Sequence, residues 1–186
     1  MSAGSGRLNL IFARRWAIPV LAQMNNGGGA KFVTLLEKLG APRASIKGSL
    51  ELLIDLKLVH PNPGFGHPMR PEYVLSDRGE MVAPPAAALK GALERIDAIE
   101  CGLKKWTMPT LRAVDLGADR FSAIAERLSE STDRAVSGAL TDLSRCELVG
   151  RKLMDTRPPR ASYILTRRAK RIVPVLAELD VALTTY

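Results

Sequence analysis

The stretch Asp119–Arg168, DRFSAIAERLSESTDRAVSGALTDLSRCELVGRKLMDTRPPRASYILTRR, decides how the rest of the chain is read. Its apolar residues Phe121, Ile124, Ala125 and Leu128 recur at helical spacing, and Val136, Leu140 and Leu143 repeat the pattern after a polar gap. Two short helices joined by a turn are expected. The gap ends in Ser131-Thr132, whose hydroxyls suit the cap of a second helix beginning near Thr132. After Leu148-Val149 the chemistry changes. Arg151, Lys152, Arg157 and Arg160 surround Pro158-Pro159, and Tyr163-Ile164-Leu165-Thr166 favours a strand. A basic hairpin after a helix-turn-helix is a wing.

The segment RPPRASYILTRRAKRIVPVL, residues 157–176, resembles the wing and closing helix of the HxlR family of bacterial winged-helix transcriptional regulators. Lys105-Trp106, Arg120-Phe121 and Glu147-Leu148-Val149 fit the same resemblance, with Glu147 standing where that family prefers glycine. The resemblance implies a mainly α chain with small β-wings, an α+β class. It also implies double-stranded DNA as partner, no cofactor, no catalysis and a cytoplasmic, nucleoid-associated location. No G-x-S-x-G, phosphate-loop, H-E-x-x-H or C-x-x-C motif argues for an enzyme.

Charge agrees with a polyanionic partner. The net charge is +8, and Arg145–Arg171 alone holds nine Lys/Arg against two Asp/Glu. No apolar run approaches the ~20 residues of a membrane span, so no membrane partner is expected. Two cysteines, Cys101 and Cys146, are too few for a disulfide framework.

Sliding the chain against itself sets the domain organisation. Trp16 and Trp106 lie 90 positions apart, as do Pro19 and Pro109, Gly48 and Gly138, Leu50 and Leu140, Leu58-Val59 and Leu148-Val149, Tyr73 and Tyr163, Arg78 and Arg168, and Pro84 and Pro174. The pairs Phe32/Phe121 and Leu39/Leu128 differ by 89. A tandem duplication is read: a disordered leader over 1–7, a first winged-helix domain over 8–97 and a second over 98–186. In the first, Leu8–Met24 is expected to be helical with Pro19 weakening or kinking one turn. Asn25–Gly29 is expected to be a flexible break, and helices are expected at Phe32–Leu39 and about Pro42–Lys57. Its wing holds Arg70 as its one base. Leu89, Leu93, Ile96, Ile99 and Leu103 mark a helix running almost directly into the second copy. In the resembled family, terminal helices pair two subunits. Here the copies are expected to pair within one chain as a pseudo-dimer, with a homodimer through the terminal helices left open.

Candidate DNA contacts follow from the outward positions of each second helix. With Ile46, Leu50 and Leu53 inward, Arg43, Ala44, Lys47 and Gly48 face out, and with Val136, Leu140 and Leu143 inward, Asp133, Arg134, Ser137 and Gly138 do so. Arg43, Lys47, Arg134 and Ser137 are the base-reading candidates. Lys31 and Arg120 precede helix starts where phosphate can meet free N–H groups. Arg70, Arg151, Lys152, Arg157 and Arg160 are assigned to the phosphate backbone or minor groove. Asp133 repels phosphate, so the two copies are expected to bind unequally. His60 and His67 lack the company that a metal site needs. Cys101 lies five residues before Trp106, and some regulators of the resembled family sense oxidants through a cysteine upstream of that tryptophan. Lys104 and Lys105 would lower its pKa were it exposed. Two rival readings stay open: a protein-interaction module with reduced DNA binding, and a small-molecule sensor with its ligand between the lobes.

Overall fold

A computed structural model describes residues 5–62, 72–155 and 160–185. The first half runs α1 (Ser5–Ile11), α2 (Ala17–Met24), β1 (Gly29–Lys31), α3 (Phe32–Leu39), α4 (Arg43–Asp55), β2 (Val59–Asn62), β3 (Glu72–Leu75) and α5 (Asp77–Arg95). The second runs α6 (Ile99–Gly102), α7 (Thr107–Asp115), α8 (Phe121–Arg127), α9 (Asp133–Arg145), β4 (Val149–Met154), β5 (Arg160–Leu165), a 3-10 turn (Ala169–Arg171) and α10 (Val173–Thr184). The architecture is mainly helical with two small antiparallel sheets, consistent with winged helix-turn-helix units.

The two middle helices follow the expected chemistry. α9 starts after Thr132, whose Oγ1 accepts from the Ala135 N–H at 3.2 Å. α4 starts after Pro42, which offers no side-chain cap but holds the backbone in the extended region that precedes a helix. Ile46, Leu50 and Leu53 in α4, and Val136, Leu140 and Leu143 in α9, are buried as the spacing predicts. Both helices end at a left-handed non-glycine residue, Lys57 (φ 57°) and Glu147 (φ 55°). An L side chain there costs roughly 1 kcal/mol. Lys57→Gly should therefore raise stability by about 0.5 to 1 kcal/mol in chemical denaturation, the gain trimmed by glycine's extra freedom when unfolded.

Four expectations are corrected. The helical pattern from Leu8 breaks at residues 12–16 instead of at Pro19. Pro19 is the third residue of α2, where no intrahelical N–H bond is lost. α1 begins at Ser5, so part of the expected disordered leader is helical. The Asn25–Gly29 break becomes a turn leading into β1, which pairs with β3 through Gly29↔Val74 and Ala30↔Tyr73. A β-carbon at Gly29 would sit 2.6 Å from the Tyr73 carbonyl oxygen, so the glycine serves close strand approach as well as turning. The helix expected to run on through Leu103 stops at Arg95, and Asp97 takes φ 50° before α6 begins.

The first sheet is ordered β1-β3-β2, whereas β4 and β5 form a two-stranded hairpin. At the edge equivalent to β1, the second half has one backbone bond, from the Tyr163 N–H to the Asp119 carbonyl at 2.7 Å.

One hydrophobic cluster extends through both halves, from Leu8 to Leu183. α5 packs against α10, and α1 against α7 and α10. At either end of the α5–α10 pair an arginine from one half reaches backbone carbonyls of the other. Arg78, in the first turn of α5, donates to the Leu183 carbonyl at 2.9 Å and to Leu56 at 3.2 Å, and Arg7 joins it on Leu183 at 2.8 Å. Arg168, ahead of α10, donates to the Ile96 carbonyl just beyond α5 and pairs with Glu147 at 3.0 Å. Helix ends leave such carbonyls without intrahelical partners, so the two arginines act as reciprocal caps. Arg112 of α7 meets the buried Asp180 of α10 at 2.9 Å. Burial raises the Asp180 carboxyl above its ordinary pKa, and Arg112 opposes the shift.

Candidate nucleic-acid interface

The outward face of α9 presents Asp133, Arg134, Ser137 and Gly138, all exposed, and continues through Thr141, Ser144 and Arg145. Between this face and the β4–β5 hairpin runs an open groove of about 600 Å³. Ser137, Thr141, Ser144, Arg145, Arg151 and Tyr163 line it. The register explains which wing bases reach it. Arg151 pairs across the ribbon with Tyr163, whereas Lys152 pairs with Ser162 and Met154 with Arg160. Side chains alternate along a strand, so Arg151 and Tyr163 share the face toward α9 while Lys152 and Arg160 lie on the other. Of the predicted residues, the structure thus brings Ser137 and Arg151 into one groove and places Lys152 and Arg160 on the reverse side of the same ribbon. The hydroxyls and guanidinium groups lining this groove offer hydrogen-bond donors with net positive charge, as a phosphate backbone requires.

The first half is organised differently. Arg43 lies over the Phe32 ring at 4.8 Å, a cation–π contact that orients its guanidinium at the start of α4. Lys47 sits 3.8 Å from Glu51, and Asp55 is exposed one turn further on. Gly48 was expected to admit close approach of backbone to DNA. A β-carbon there would make ordinary contact with the Arg14 guanidinium at 3.6 Å, which places Arg14 directly over this position. Arg14 therefore joins the exposed face of α4. At Gly138 no atom lies within 4 Å of the equivalent position.

Lys31 and Arg120 are both exposed and occupy the residue preceding α3 and α8, in extended conformation. Arg120 lies 4.0 Å from Asp119. Arg70, Arg157 and His67 fall outside the described residues, and His60 is exposed on β2. Sequence reasoning missed Arg14, Thr141, Ser144 and Arg145. The last three were accessible by carrying the helical spacing of Arg134 and Ser137 through another two turns. Arg14 was not, because only tertiary packing brings it over Gly48.

The exposure on which a lowered Cys101 pKa depends is not met. The residue is 6% exposed, and its thiol donates to the Asp142 carbonyl at 3.5 Å. Burial, then contact with Cys146, pushes the thiol above its ordinary pKa. Lys104 acts the other way but is committed to Asp142 at 2.8 Å. Iodoacetamide at neutral pH should therefore leave Cys101 unmodified while the chain is folded and label it on unfolding, as peptide mass mapping would read.

No helix among the described residues is long and apolar enough to cross a membrane. Residues 103–186 match the family described as HxlR-like helix-turn-helix. The chain is 33% identical over 75 residues to an uncharacterized HTH-type transcriptional regulator of Methanothermobacter thermautotrophicus, a stretch covering 40% of this chain and 57% of that protein. It is 29% identical over 83 residues to the uncharacterized HTH-type transcriptional regulator YvaP of Bacillus subtilis, covering 45% of this chain and 77% of YvaP. The chain thus spans little more than half the length of the archaeal relative. The matched family segment includes α7 to α10 and the groove between α9 and the hairpin.

Proposed function

We propose that the chain is a transcriptional regulator that binds double-stranded DNA without catalysis, through two winged helix-turn-helix units paired inside one molecule. The units span residues 8–97 and 98–186. The observation that carries this reading is the groove between α9 and the β4–β5 hairpin, lined by Arg145, Arg151 and the hydroxyl side chains of Ser137, Thr141, Ser144 and Tyr163. In a winged helix the second helix of the helix-turn-helix enters the major groove while the hairpin grips the adjoining backbone. Arg134 and Ser137 then approach base edges, and Arg145 and Arg151 the phosphates. In the first unit Arg43, Lys47 and Arg14 take the corresponding roles. The recurring order of elements supports the duplication, and the α5–α10 packing with its reciprocal arginine caps supports the intramolecular pairing. A cytoplasmic location follows from this role.

A salt-titrated gel shift with genomic duplex fragments tests the proposal. Binding should weaken linearly in log K against log salt, because each phosphate contact releases counterions. Absence of duplex binding at low salt would sink it.

A small-molecule sensor is the second reading. It is favoured by a mainly apolar groove of about 510 Å³ between α5 and α10, lined by Met81, Pro85, Ala177, Val181 and Ala182 with Glu178 and Thr185. A naphthalenesulfonate dye that brightens on the native chain but not on Val181→Asp would support an effector site there, and equal brightening would remove it.

A further inference from the structure

We infer that the DNA bound by this chain is an asymmetric duplex site, recognised by a single copy through two dissimilar half-sites. The inference rests on the DNA-binding proposal above and extends it to the kind of site bound. Palindromic operators mirror the two-fold symmetry of identical subunits, each laying the same helix into the same sequence. Neither condition holds here.

The helices at the two reading positions are chemically unlike. Positions related by the 90-residue offset pair Arg43 with Asp133, Ala44 with Arg134, Lys47 with Ser137, Glu51 with Thr141 and Asp55 with Arg145. All of these side chains are exposed. Along α4 charge runs from basic at the N-terminal end to acidic at the C-terminal end. Along α9 it begins with an acid and ends with Arg145 beside the basic hairpin. Arginine and lysine at positions 43 and 47 favour the acceptor pair on the guanine edge, with Arg14 adding a third cation across Gly48. Asp133 disfavours phosphate and accepts only from donors such as the cytosine amino group, leaving Arg134 and Ser137 to make the other contacts. The hairpins differ as well. β1 adds a third strand along the outer edge of β3, whereas β4 and β5 stand as a two-stranded ribbon bearing Arg151, Lys152 and Arg160. Each unit reads through its own helix, and the second adds a basic ribbon that grips the backbone.

The second condition fails because the pairing surface is occupied within the chain. α5 and α10 lie against each other, with Arg78 on the Leu183 carbonyl and Arg168 on the Ile96 carbonyl, so two units are presented by one chain.

Selection of binding sequences from a random duplex library by the full chain tests the inference, with native mass spectrometry counting chains per duplex. The expected consensus has two unlike halves and is saturated by one chain. Arg43→Ala with Lys47→Ala should weaken binding by about tenfold or more and erase information from one half, while Arg134→Ala should erase it from the other. Arg134 is exposed, and the Arg43 contact with Phe32 is worth at most about 1 kcal/mol, so the variants should melt within roughly 4 °C of the parent. A palindromic consensus, two chains on the minimal site, or loss of information from both halves in either variant would overturn the inference while leaving DNA binding intact. Failure to enrich any duplex would instead overturn the DNA-binding proposal, and the inference with it.

Discussion

Gly79→Ala is expected to destabilise the chain by about 3 kcal/mol, lowering the melting temperature by roughly 10 °C. Gly79 lies in the first turn of α5, where that helix presses on the end of the first unit's hairpin. A β-carbon there would fall 1.9 Å from the Leu58 carbonyl oxygen and 3.3 Å from the Leu75 Cβ. The carbonyl is not free to move aside, since it accepts from the Ser76 N–H at 3.0 Å. Ser76 in turn caps the Gly79 N–H at 3.0 Å and donates its hydroxyl to the Lys57 carbonyl at 2.7 Å. Relief of the clash must pull α5 away from β2 or break this set of bonds, and either disturbs the helix that pairs with α10. The second half has a parallel arrangement that accepts alanine. Thr166 Oγ1 caps the Ala169 N–H at 3.2 Å and donates to the Glu147 carbonyl at 2.6 Å, but Ala169 opens a 3-10 turn instead of a continuous α-helix. A control sits in the same helix. At Gly91 the added carbon meets only the tip of Arg95 at 3.4 Å, so Gly91→Ala should stabilise by about 0.5 to 1 kcal/mol. A Gly79→Ala variant melting within about 2 °C of the parent would show that the close contact does not constrain the fold.

What was legible in the sequence was whatever local chemistry settles by itself. The apolar spacing of Ile46, Leu50 and Leu53, and of Val136, Leu140 and Leu143, matches the buried faces of α4 and α9. The Thr132 cap marked the start of α9 to within a residue. The features that escaped depend on distant partners. Gly29 reads as a chain breaker until β3 is beside it, and Pro19 reads as a kink until the start of α2 is known to lie two residues before it. Cys101 reads as activated by Lys104 and Lys105 because sequence adjacency cannot show that Asp142 takes Lys104 away. Arg14 sits 34 positions before Gly48 in the chain, and no periodicity links them. The candidate interface was therefore readable along each element and unreadable across elements. The groove joining Ser137 to Arg151 required the strand register as well as the helix face.

Removing the grip should be the most damaging change to DNA binding. The triple variant Arg145→Ala, Arg151→Ala, Arg160→Ala is expected to weaken duplex binding by a factor on the order of 100 to 1000 near 0.1 M salt, and to reduce the slope of log K against log salt by about 2 to 3. The three side chains are exposed and their removal leaves the apolar packing untouched, so thermal stability should hold. Arg145 and Arg151 share the groove beside α9, whereas Arg160 lies on the reverse of the ribbon. Their roles then separate by single replacement. If the duplex backbone runs through the groove, Arg145→Ala and Arg151→Ala each remove about one unit of slope and Arg160→Ala removes less. If the hairpin instead enters the minor groove, Arg160→Ala is the costlier change and shifts preference among A·T and G·C steps, since an inserted arginine senses groove width. Loss of sequence preference in the triple variant with an unchanged salt slope would mean that the basic residues read bases, and the division of labour between α4 and the second hairpin would have to be reversed.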